Sequence, residues 1–161
     1  MSTNGQITFI ADGHAKRSYN HWDSNPSALG LEVLRWLRGT IRDGNETLLR
    51  TAIKDLVVVS DFGGHPPTEE QERELEPYTV SAVGGPNERW YRLLRKTQGD
   101  PGKILSVGYA YDQNWGVEVD EYYNYIVNCD VREFICLGHI WSFDALPDDD
   151  VFALDLGGDY N

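Results

Sequence analysis

Residues 121–137 carry the strongest strand signal in the chain and read Glu-Tyr-Tyr-Asn-Tyr-Ile-Val-Asn-Cys-Asp-Val-Arg-Glu-Phe-Ile-Cys-Leu. Aromatic and β-branched residues dominate both ends of this stretch, and such residues are enriched in strands. Residues 130–132 interrupt them as a polar turn. Because side chains alternate along a strand, Tyr123, Tyr125 and Val127 share one face. The pattern predicts a β-hairpin with one face packed under helices.

A second hairpin is predicted near the N-terminus, over residues 6–21. Its first strand contains Ile7 and Phe9, and Asp12-Gly13 follows, a dipeptide that favours a tight type I′ turn. The two hairpins together predict an α+β fold. In this fold an antiparallel sheet built from the N- and C-terminal hairpins has helices packed on one face.

The chain between the hairpins is predicted to be mostly helical. Leucine and valine residues at helical spacing indicate a helix over residues 28–38, with Ser27 as its N-cap and Gly39 just past its end. Thr68 and Gln71 have capping-box spacing, and Asp100-Pro101 suits the start of a short helix. The other predicted elements are a helix that carries residues 48–56, strands at 57–59 and 78–83, and helices at 68–76 and 87–97.

Composition and charge limit the classes of function. The 161 residues, of which 40% are hydrophobic, suit one domain spanning residues 1–161 with a substantial core. The net charge of −12 opposes binding to nucleic acids and to acidic membranes, and it favours a protein partner with a basic surface. Acidity that serves solubility alone is the simpler alternative. The sequence leaves the oligomeric state open.

The N-terminus and the cysteines indicate the compartment. Residues 1–5 have neither the basic nor the apolar segment of a signal peptide. Cys129 and Cys136 are too few for a disulfide framework, so we expect reduced thiols in a cytoplasmic protein. Two thiols without closely spaced Cys or His ligands do not predict a metal site, and no sequence motif implies a cofactor.

The first candidate site is the loop that contains His21 and Asp23, with Asn25 beside them. A histidine and a carboxylate in one loop can supply a general base and its orienting partner, or two metal ligands. The start of the following helix would favour an anion. In the alternative interpretation, Asp23 and Asn25 satisfy amides of the loop and His21 packs locally.

A basic group on the helix at 87–97 is the second candidate. Arg92, Arg95 and Lys96, together with Arg89, could hold an anionic group such as a phosphate. A solvated helix face is the alternative. We therefore take His21, Asp23, Asn25, Arg92, Arg95 and Lys96 as candidate ligand-binding residues.

Two further segments receive other interpretations. Residues 61–63 form the Asp-Phe-Gly triplet of protein kinases, but the chain has none of the other kinase segments, so a turn is predicted there. Residues 142–161 contain six aspartates and no lysine or arginine. This acidic tail lacks the ligand spacing of an EF-hand calcium loop. It is either a solvated surface or a mimic of nucleic-acid phosphates that occupies a basic groove.

Three segments of the chain show a family resemblance. Residues 19–26 read Tyr-Asn-His-Trp-Asp-Ser-Asn-Pro, residues 93–100 read Leu-Leu-Arg-Lys-Thr-Gln-Gly-Asp, and residues 123–130 read Tyr-Asn-Tyr-Ile-Val-Asn-Cys-Asp. In this order they resemble an uncharacterised family of small bacterial and phage proteins with a Tyr-x-x-x-Asp-Gly-Tyr-Pro segment. The resemblance implies an α+β domain and no particular activity. Ser24 stands where the family has glycine, so a positive φ there would strain the loop.

Two functions remain open at this stage. The leading hypothesis is a non-enzymatic acidic binding protein, such as a phage or mobile-element accessory factor that acts on a host protein. It rests on the acidity, the family context and the lack of a complete catalytic motif. The alternative is a small enzyme or ligand-binding domain for a phosphorylated or nucleotide-like molecule that uses the His21/Asp23 loop.

Overall fold

The computed structural model describes residues 3–115 and 123–156, and its centre is a five-stranded sheet beside a two-stranded sheet. The predicted α+β class is confirmed. The strands are β1 (Gly5–Ala11), β2 (His14–Asn20), β3 (Val57–Val59), β4 (Tyr109–Tyr111), β5 (Asn124–Asn128), β6 (Glu133–Cys136) and β7 (His139–Ser142). The large sheet has the order β2-β1-β5-β6-β7, and β3 pairs with β4 in the small one.

Both predicted hairpins form. Asp12 and Gly13 have φ values of 51° and 75°, which suits the predicted type I′ turn between β1 and β2. Most of the sheet is antiparallel as predicted, but β1 and β5 pair in parallel. The long helical segment between these strands allows this arrangement, because a parallel pair needs a crossover connection.

The helices are α1 (Leu31–Arg42), α2 (Glu46–Asp55), α3 (Glu69–Glu74), α4 (Arg89–Leu93), α5 (Pro101–Val107) and α6 (Asp149–Asp155). A π-helical turn, Pro26–Gly30, leads into α1. Short 3₁₀ turns lie at Glu76–Tyr78, Arg95–Thr97 and Phe143–Ala145. Among the described residues, no helix has the length and hydrophobicity needed to cross a membrane.

Three local predictions about the helical segment were wrong in detail. Helix α1 continues past Gly39 to Arg42, because Ile41 still packs against the core. Ser27 does not cap the helix, since the chain turns helical at Pro26 and Asn25 holds the N-cap position without a side-chain bond. The strand predicted over residues 78–83 does not form, and no described strand lies beside that segment.

The predicted caps of two other helices are confirmed. Thr68 and Gln71 form the reciprocal capping box at the start of α3. The Asp100 carboxylate accepts a hydrogen bond from the Lys103 amide at the start of α5, and Gly108 ends that helix with a φ of 92°. Both motifs depend on residues within one turn of the helix, which is why the sequence reveals them.

Buried side chains form two clusters. The main core lies between the large sheet and helices α1, α2 and α5, and its fully buried members include Phe9, Val33, Leu34, Leu37, Ile53, Ile104, Tyr125, Val127 and Phe134. The second, which we call the aromatic cluster, consists of Tyr19, Val59, Leu75, Trp90, Tyr91, Leu93, Leu94 and Tyr111. It packs between α4 and the small sheet, next to the end of β2. The loop that follows β2 therefore lies where the two clusters meet.

Candidate functional site

Buried hydrogen bonds fix the loop over residues 20–25. The Asn20 side chain donates from Nδ2 to the Trp22 carbonyl at 2.6 Å and to Ser24 Oγ at 2.9 Å. Tyr125 of β5 donates from Oη to the Ser24 carbonyl at 2.7 Å. Asn20 and Ser24 are both buried. Because buried polar groups with satisfied hydrogen bonds rigidify their surroundings, this loop is preorganised.

The strained position in this loop is Asp23, which has a φ of 51°. The family resemblance implied a positive φ at Ser24. In the structure the residue with a positive φ is the preceding one, Asp23. Aspartate tolerates the left-handed region better than most residues. Strained backbone of this kind concentrates at ligand sites. Asp23 is also exposed, so its carboxylate is available.

A cleft of about 330 Å³ opens on one side of the loop. We call it the arginine cleft, and its lining includes Trp22, Asp23, Glu32, Arg35, Arg95 and Gln98. Asp23 comes from the loop, whereas Arg95 comes from the 3₁₀ turn that follows α4. Two predicted site residues thus meet in one concavity. Its volume falls at the lower end of the range for small-molecule sites.

The two arginines of this cleft differ in their partners. Arg35 is held by Asp149, with N–O distances of 2.9 Å from both Nε and Nη2. Arg95 makes no salt bridge within the described part of the chain. It lies beside the Tyr91 hydroxyl. Burial raises the pKa of Tyr91, and the nearby Arg95 guanidinium opposes that shift. Of the two arginines that line this cleft, Arg95 is therefore the one without a carboxylate partner among the described residues.

A second cleft, of about 380 Å³, opens on the other side of the loop. We call it the tyrosine cleft, and it is lined by Tyr19, His21, Gly84, Gly85, Glu88, Tyr91 and Gln113. His21 Nδ1 lies 2.7 Å from Tyr19 Oη, in a hydrogen bond. The imidazole also packs edge-on against Trp22, with ring centroids 4.6 Å apart. His21 and Asp23 thus line different clefts, and no hydrogen bond joins them among the described residues.

The remaining predicted residues have local roles. Arg92 donates to the Gly85 carbonyl at 2.8 Å from Nη2, and a second bond from Nη1 at 3.3 Å reaches the Glu88 carbonyl, so it braces the loop before α4. Lys96 is exposed and lines neither cleft. Asn25 donates from Nδ2 to Ser27 Oγ at 2.7 Å, a local contact with a hydroxyl and not with an amide of the loop.

Sequence reasoning missed several lining residues of the arginine cleft. Trp22 is about half-exposed, at 49%, and it lies inside the segment that contains His21 and Asp23. Glu32 and Arg35 are three positions apart on α1, so they share a face just after the loop, which is the one signal that could have suggested them. Gln98 links the two clefts, because its Oε1 accepts a hydrogen bond from the His21 amide at 3.0 Å.

The Asp-Phe-Gly-Gly segment supports the aromatic cluster from below. The Asp61 carboxylate accepts hydrogen bonds from the amides of Trp90 and Tyr91, at 2.8 and 3.0 Å, and so caps α4 from a distant loop. The Trp115 ring lies against Gly63, where an added Cβ would come within 2.0 Å of the indole. Only glycine fits beneath that ring, so this turn is packed.

Metal ligation and similarity to known proteins do not identify the function of this site. Within residues 3–115 and 123–156, no three His, Cys, Asp or Glu side chains converge in a way that could hold a metal ion. Comparisons with protein-family models, with curated proteins and with solved structures found no match to this chain. The geometry of the two clefts and of the surface is therefore what indicates a function for this chain.

Proposed function

We propose that this protein binds a small phosphorylated, nucleotide-like molecule in the arginine cleft. One observation carries the proposal: Asp23 and Arg95, which are distant in sequence, line the same cleft beside the half-exposed ring of Trp22. The preorganised loop supports it, because a site that is already rigid loses less entropy when a ligand binds.

Arg95 is the residue that would hold the anionic group. A guanidinium presents several N–H donors in a planar fork, which matches the oxygens of a phosphate. Among the residues that the structure describes, Arg95 has no carboxylate partner to give up, unlike Arg35. This matters in a chain with a net charge of −12, which otherwise repels anions.

Trp22 and the two carboxylates suit the rest of a nucleotide-like molecule. Every nucleobase has a π-face, and stacking on an aromatic side chain contributes about 1–3 kcal/mol per base. Ionised carboxylates accept hydrogen bonds only, so Asp23 and Glu32 match the hydroxyl groups of a sugar. A phosphate at Arg95, a base on Trp22 and a sugar at the two carboxylates use the charged and aromatic groups of the cleft other than Arg35, which is paired with Asp149.

The function is proposed as binding, without a catalytic step. A general base at His21 with Asp23 as its orienting group would need the two side chains within hydrogen-bonding reach. They line opposite sides of the loop, and the His21 imidazole is bonded to Tyr19 instead.

The test is a thermal-shift screen of the wild type, Arg95→Gln and Lys96→Gln. Lys96 is the matched control, because it neighbours Arg95 in sequence, carries the same charge and lies outside both clefts. The panel contains nucleoside mono- and diphosphates, cyclic nucleotides, sugar phosphates and divalent metals. A ligand at about 100 times its Kd adds roughly 2.7 kcal/mol, which raises Tm by roughly 5–10 °C in a domain of this size.

We expect at least one phosphorylated compound to raise the Tm of the wild type and of Lys96→Gln, and to leave that of Arg95→Gln unchanged. Loss of the Tm shift in Trp22→Ala would indicate that the base of the ligand stacks on the Trp22 indole. A ligand-induced rise in Tm that is as large in Arg95→Gln as in the wild type would show that Arg95 does not bind the ligand. Silence of the folded wild type across the whole panel would contradict the proposal.

A second function, binding of a basic protein partner, is supported by the unpaired carboxylates of the surface. Helix α3 carries four glutamates and buries none of its residues, and within the described ranges only Glu72 of these four makes a salt bridge. A partner held in this way should bind less tightly as salt rises, because ions screen exposed charges beyond about 10 Å at 0.1 M salt. Affinity that does not change with salt would argue against a charge-based interface.

A further inference from the structure

Strand β7 ends the large sheet with one side open. Among the described strands it has β6 as its only neighbour. Its residues pair with β6 as Cys136↔His139, Ile135↔Ile140, Phe134↔Trp141 and Glu133↔Ser142. An edge strand leaves a row of backbone N–H and C=O groups without a sheet partner, and another chain can pair with them.

The pairing shows which backbone groups face outward. The Phe143 amide donates to the Arg132 carbonyl at 2.9 Å, which makes these two residues a hydrogen-bonded pair just beyond β7. Hydrogen-bonded and non-hydrogen-bonded pairs alternate along an antiparallel ladder. Ile140 and Ser142 therefore belong to non-hydrogen-bonded pairs, and their backbone N–H and C=O groups point away from β6. Both residues are exposed.

β7 is short, which by itself limits pairing, but other devices that protect an edge strand are missing from it. The four residues His-Ile-Trp-Ser contain no proline and no lysine, and the ladder has no bulge. Ile140 is 60% exposed. Val151 and Leu154 are also exposed on α6, the helix whose Phe152 packs against Trp141 in β7. The edge thus combines open backbone groups with nearby aliphatic side chains.

The charge around this edge identifies the kind of partner. Asp150 and Asp155 of α6 are exposed and make no salt bridge within the described part of the chain, whereas Asp149 is held by Arg35 and Arg38. A segment with lysine or arginine side chains that pairs with β7 would find opposite charges on α6, the helix that packs against this strand. A second copy of this chain would bring the same carboxylates and be repelled.

We propose that an extended, basic segment of a partner protein adds to β7 as a further strand of the large sheet. In such β-augmentation, main-chain hydrogen bonds supply the affinity and alternate side chains supply the specificity. The segment bonds to the backbone of Ile140 and Ser142, and its cationic side chains face the carboxylates of α6. This inference deepens the second function proposed above and is independent of the arginine cleft.

The first test uses the wild-type protein and two peptides. One peptide alternates lysine with valine, and the other has the same sequence with N-methyl groups on every second amide, which removes the hydrogen bonds of one edge. Fluorescence anisotropy measures both affinities at low and at physiological salt. We expect the unmethylated peptide to bind, to bind more weakly at higher salt, and to bind at least roughly three- to tenfold more tightly than the methylated one, as expected for lost hydrogen bonds.

The second test changes the edge itself. Ser142 has a φ of −66°, the value that proline requires, and its N–H faces outward, so Ser142→Pro removes a donor of the edge without removing a bond to β6. Ser142→Ala is the matched control, because it loses the same hydroxyl, which accepts from the Asp144 amide, and keeps the N–H. We expect Ser142→Pro to weaken peptide binding by roughly three- to tenfold relative to Ser142→Ala.

Four outcomes would overturn the edge proposal. Equal binding of the methylated and unmethylated peptides, or equal binding by Ser142→Pro and Ser142→Ala, would show an association through charge alone and would leave the broader second function intact. Absence of peptide binding at low salt would contradict both the edge proposal and the broader second function. Dimerisation of the protein without peptide, abolished by Ser142→Pro, would identify a second copy as the occupant of the edge.

Discussion

The main core and the aromatic cluster are built from different kinds of side chain. The main core is largely aliphatic and packs on one face of the large sheet. The aromatic cluster contains four tyrosine and tryptophan residues among its eight members, and two of them, Tyr19 and Tyr91, line the tyrosine cleft. The main core is mostly apolar and contains one fully buried tyrosine, Tyr125, whereas the aromatic cluster brings several hydroxyl and indole groups into the interior.

We expect the main core to account for most of the stability, whereas the aromatic cluster carries buried polar groups next to the candidate site. Aliphatic side chains contribute to stability through burial and close packing, and they leave no polar atom to satisfy. In the aromatic cluster, the buried Tyr111 hydroxyl has no partner with hydrogen-bonding geometry among the described residues. Burial, and then the nearby Asp61 carboxylate, raise its pKa. Buried polar groups without a hydrogen bond destabilise the folded state, and natural proteins retain such groups mainly at functional sites.

The largest expected effect is the loss of a ring from the main core. Phe134 is fully buried and packs against the rings of both Trp141 and Phe152. Phe134→Ala should reduce the free energy of unfolding by about 3–5 kcal/mol, because it removes apolar surface and leaves a cavity. Urea unfolding measures this change.

Val131→Ala is the control for that substitution, since Val131 lies in the same hairpin and is 58% exposed. Its effect should stay within about 0.5 kcal/mol. If the two variants were equally stable, the main core would not be the principal source of stability, and the comparison between the two clusters would fail.

The main core is also the part of the molecule that the sequence predicts well. The alternation of Tyr123, Tyr125 and Val127 predicts one buried face of β5, and Tyr125 and Val127 are indeed fully buried. Dipeptides such as Asp12-Gly13 fix their own turns. These signals are local, with a period of two or 3.6 residues, so they do not depend on the rest of the fold. The parallel pairing of β1 with β5 is not local, and it was not predicted.

A moderate effect is expected at the cap that fixes the aromatic cluster. Asp61 accepts from two amides of α4, and that helix carries Trp90 and Tyr91. Asp61→Ala should lower the free energy of unfolding by about 1–2 kcal/mol, the usual effect of losing an N-cap. It should also weaken binding in the arginine cleft, because α4 leads directly to Arg95.

Asp61→Asn is the conservative comparison, since one side-chain oxygen remains as an acceptor for the helix. We expect its stability to fall between those of the wild type and Asp61→Ala, as chemical denaturation can show. If Asp61→Ala were as stable as the wild type, solvent would be satisfying the start of α4, and the cluster would not depend on this cap.

The candidate site could be predicted only in part, for the same physical reason. The segment 21–25 was identified because its polar residues adjoin a helix start, and Asp23 does line a cleft. The partnership of Asp23 with Arg95, like the capping of α4 by Asp61, depends on how distant segments pack. Arg92 and Lys96 are similar to Arg95 in sequence context. Lys96 even shares the 3₁₀ turn after α4 with Arg95, and what distinguishes Arg95 is that it alone of the three lines the arginine cleft.

The smallest expected effect compares one hydroxyl from each cluster. Tyr125 and Tyr111 are both buried, but Tyr125 Oη donates to the Ser24 carbonyl at 2.7 Å, whereas Tyr111 Oη lacks a partner of good geometry within the described residues. Tyr125→Phe should reduce the free energy of unfolding by about 0.5–1.5 kcal/mol, and Tyr111→Phe by less than about 0.5 kcal/mol, because removal of an unsatisfied hydroxyl also removes its desolvation penalty. Thermal and urea unfolding of the two variants measure this difference directly. A larger loss in Tyr111→Phe than in Tyr125→Phe would mean that a water molecule or a ligand group bonds to the Tyr111 hydroxyl, and the aromatic cluster would then contribute to stability through a polar contact stronger than the one that Tyr125 makes in the main core.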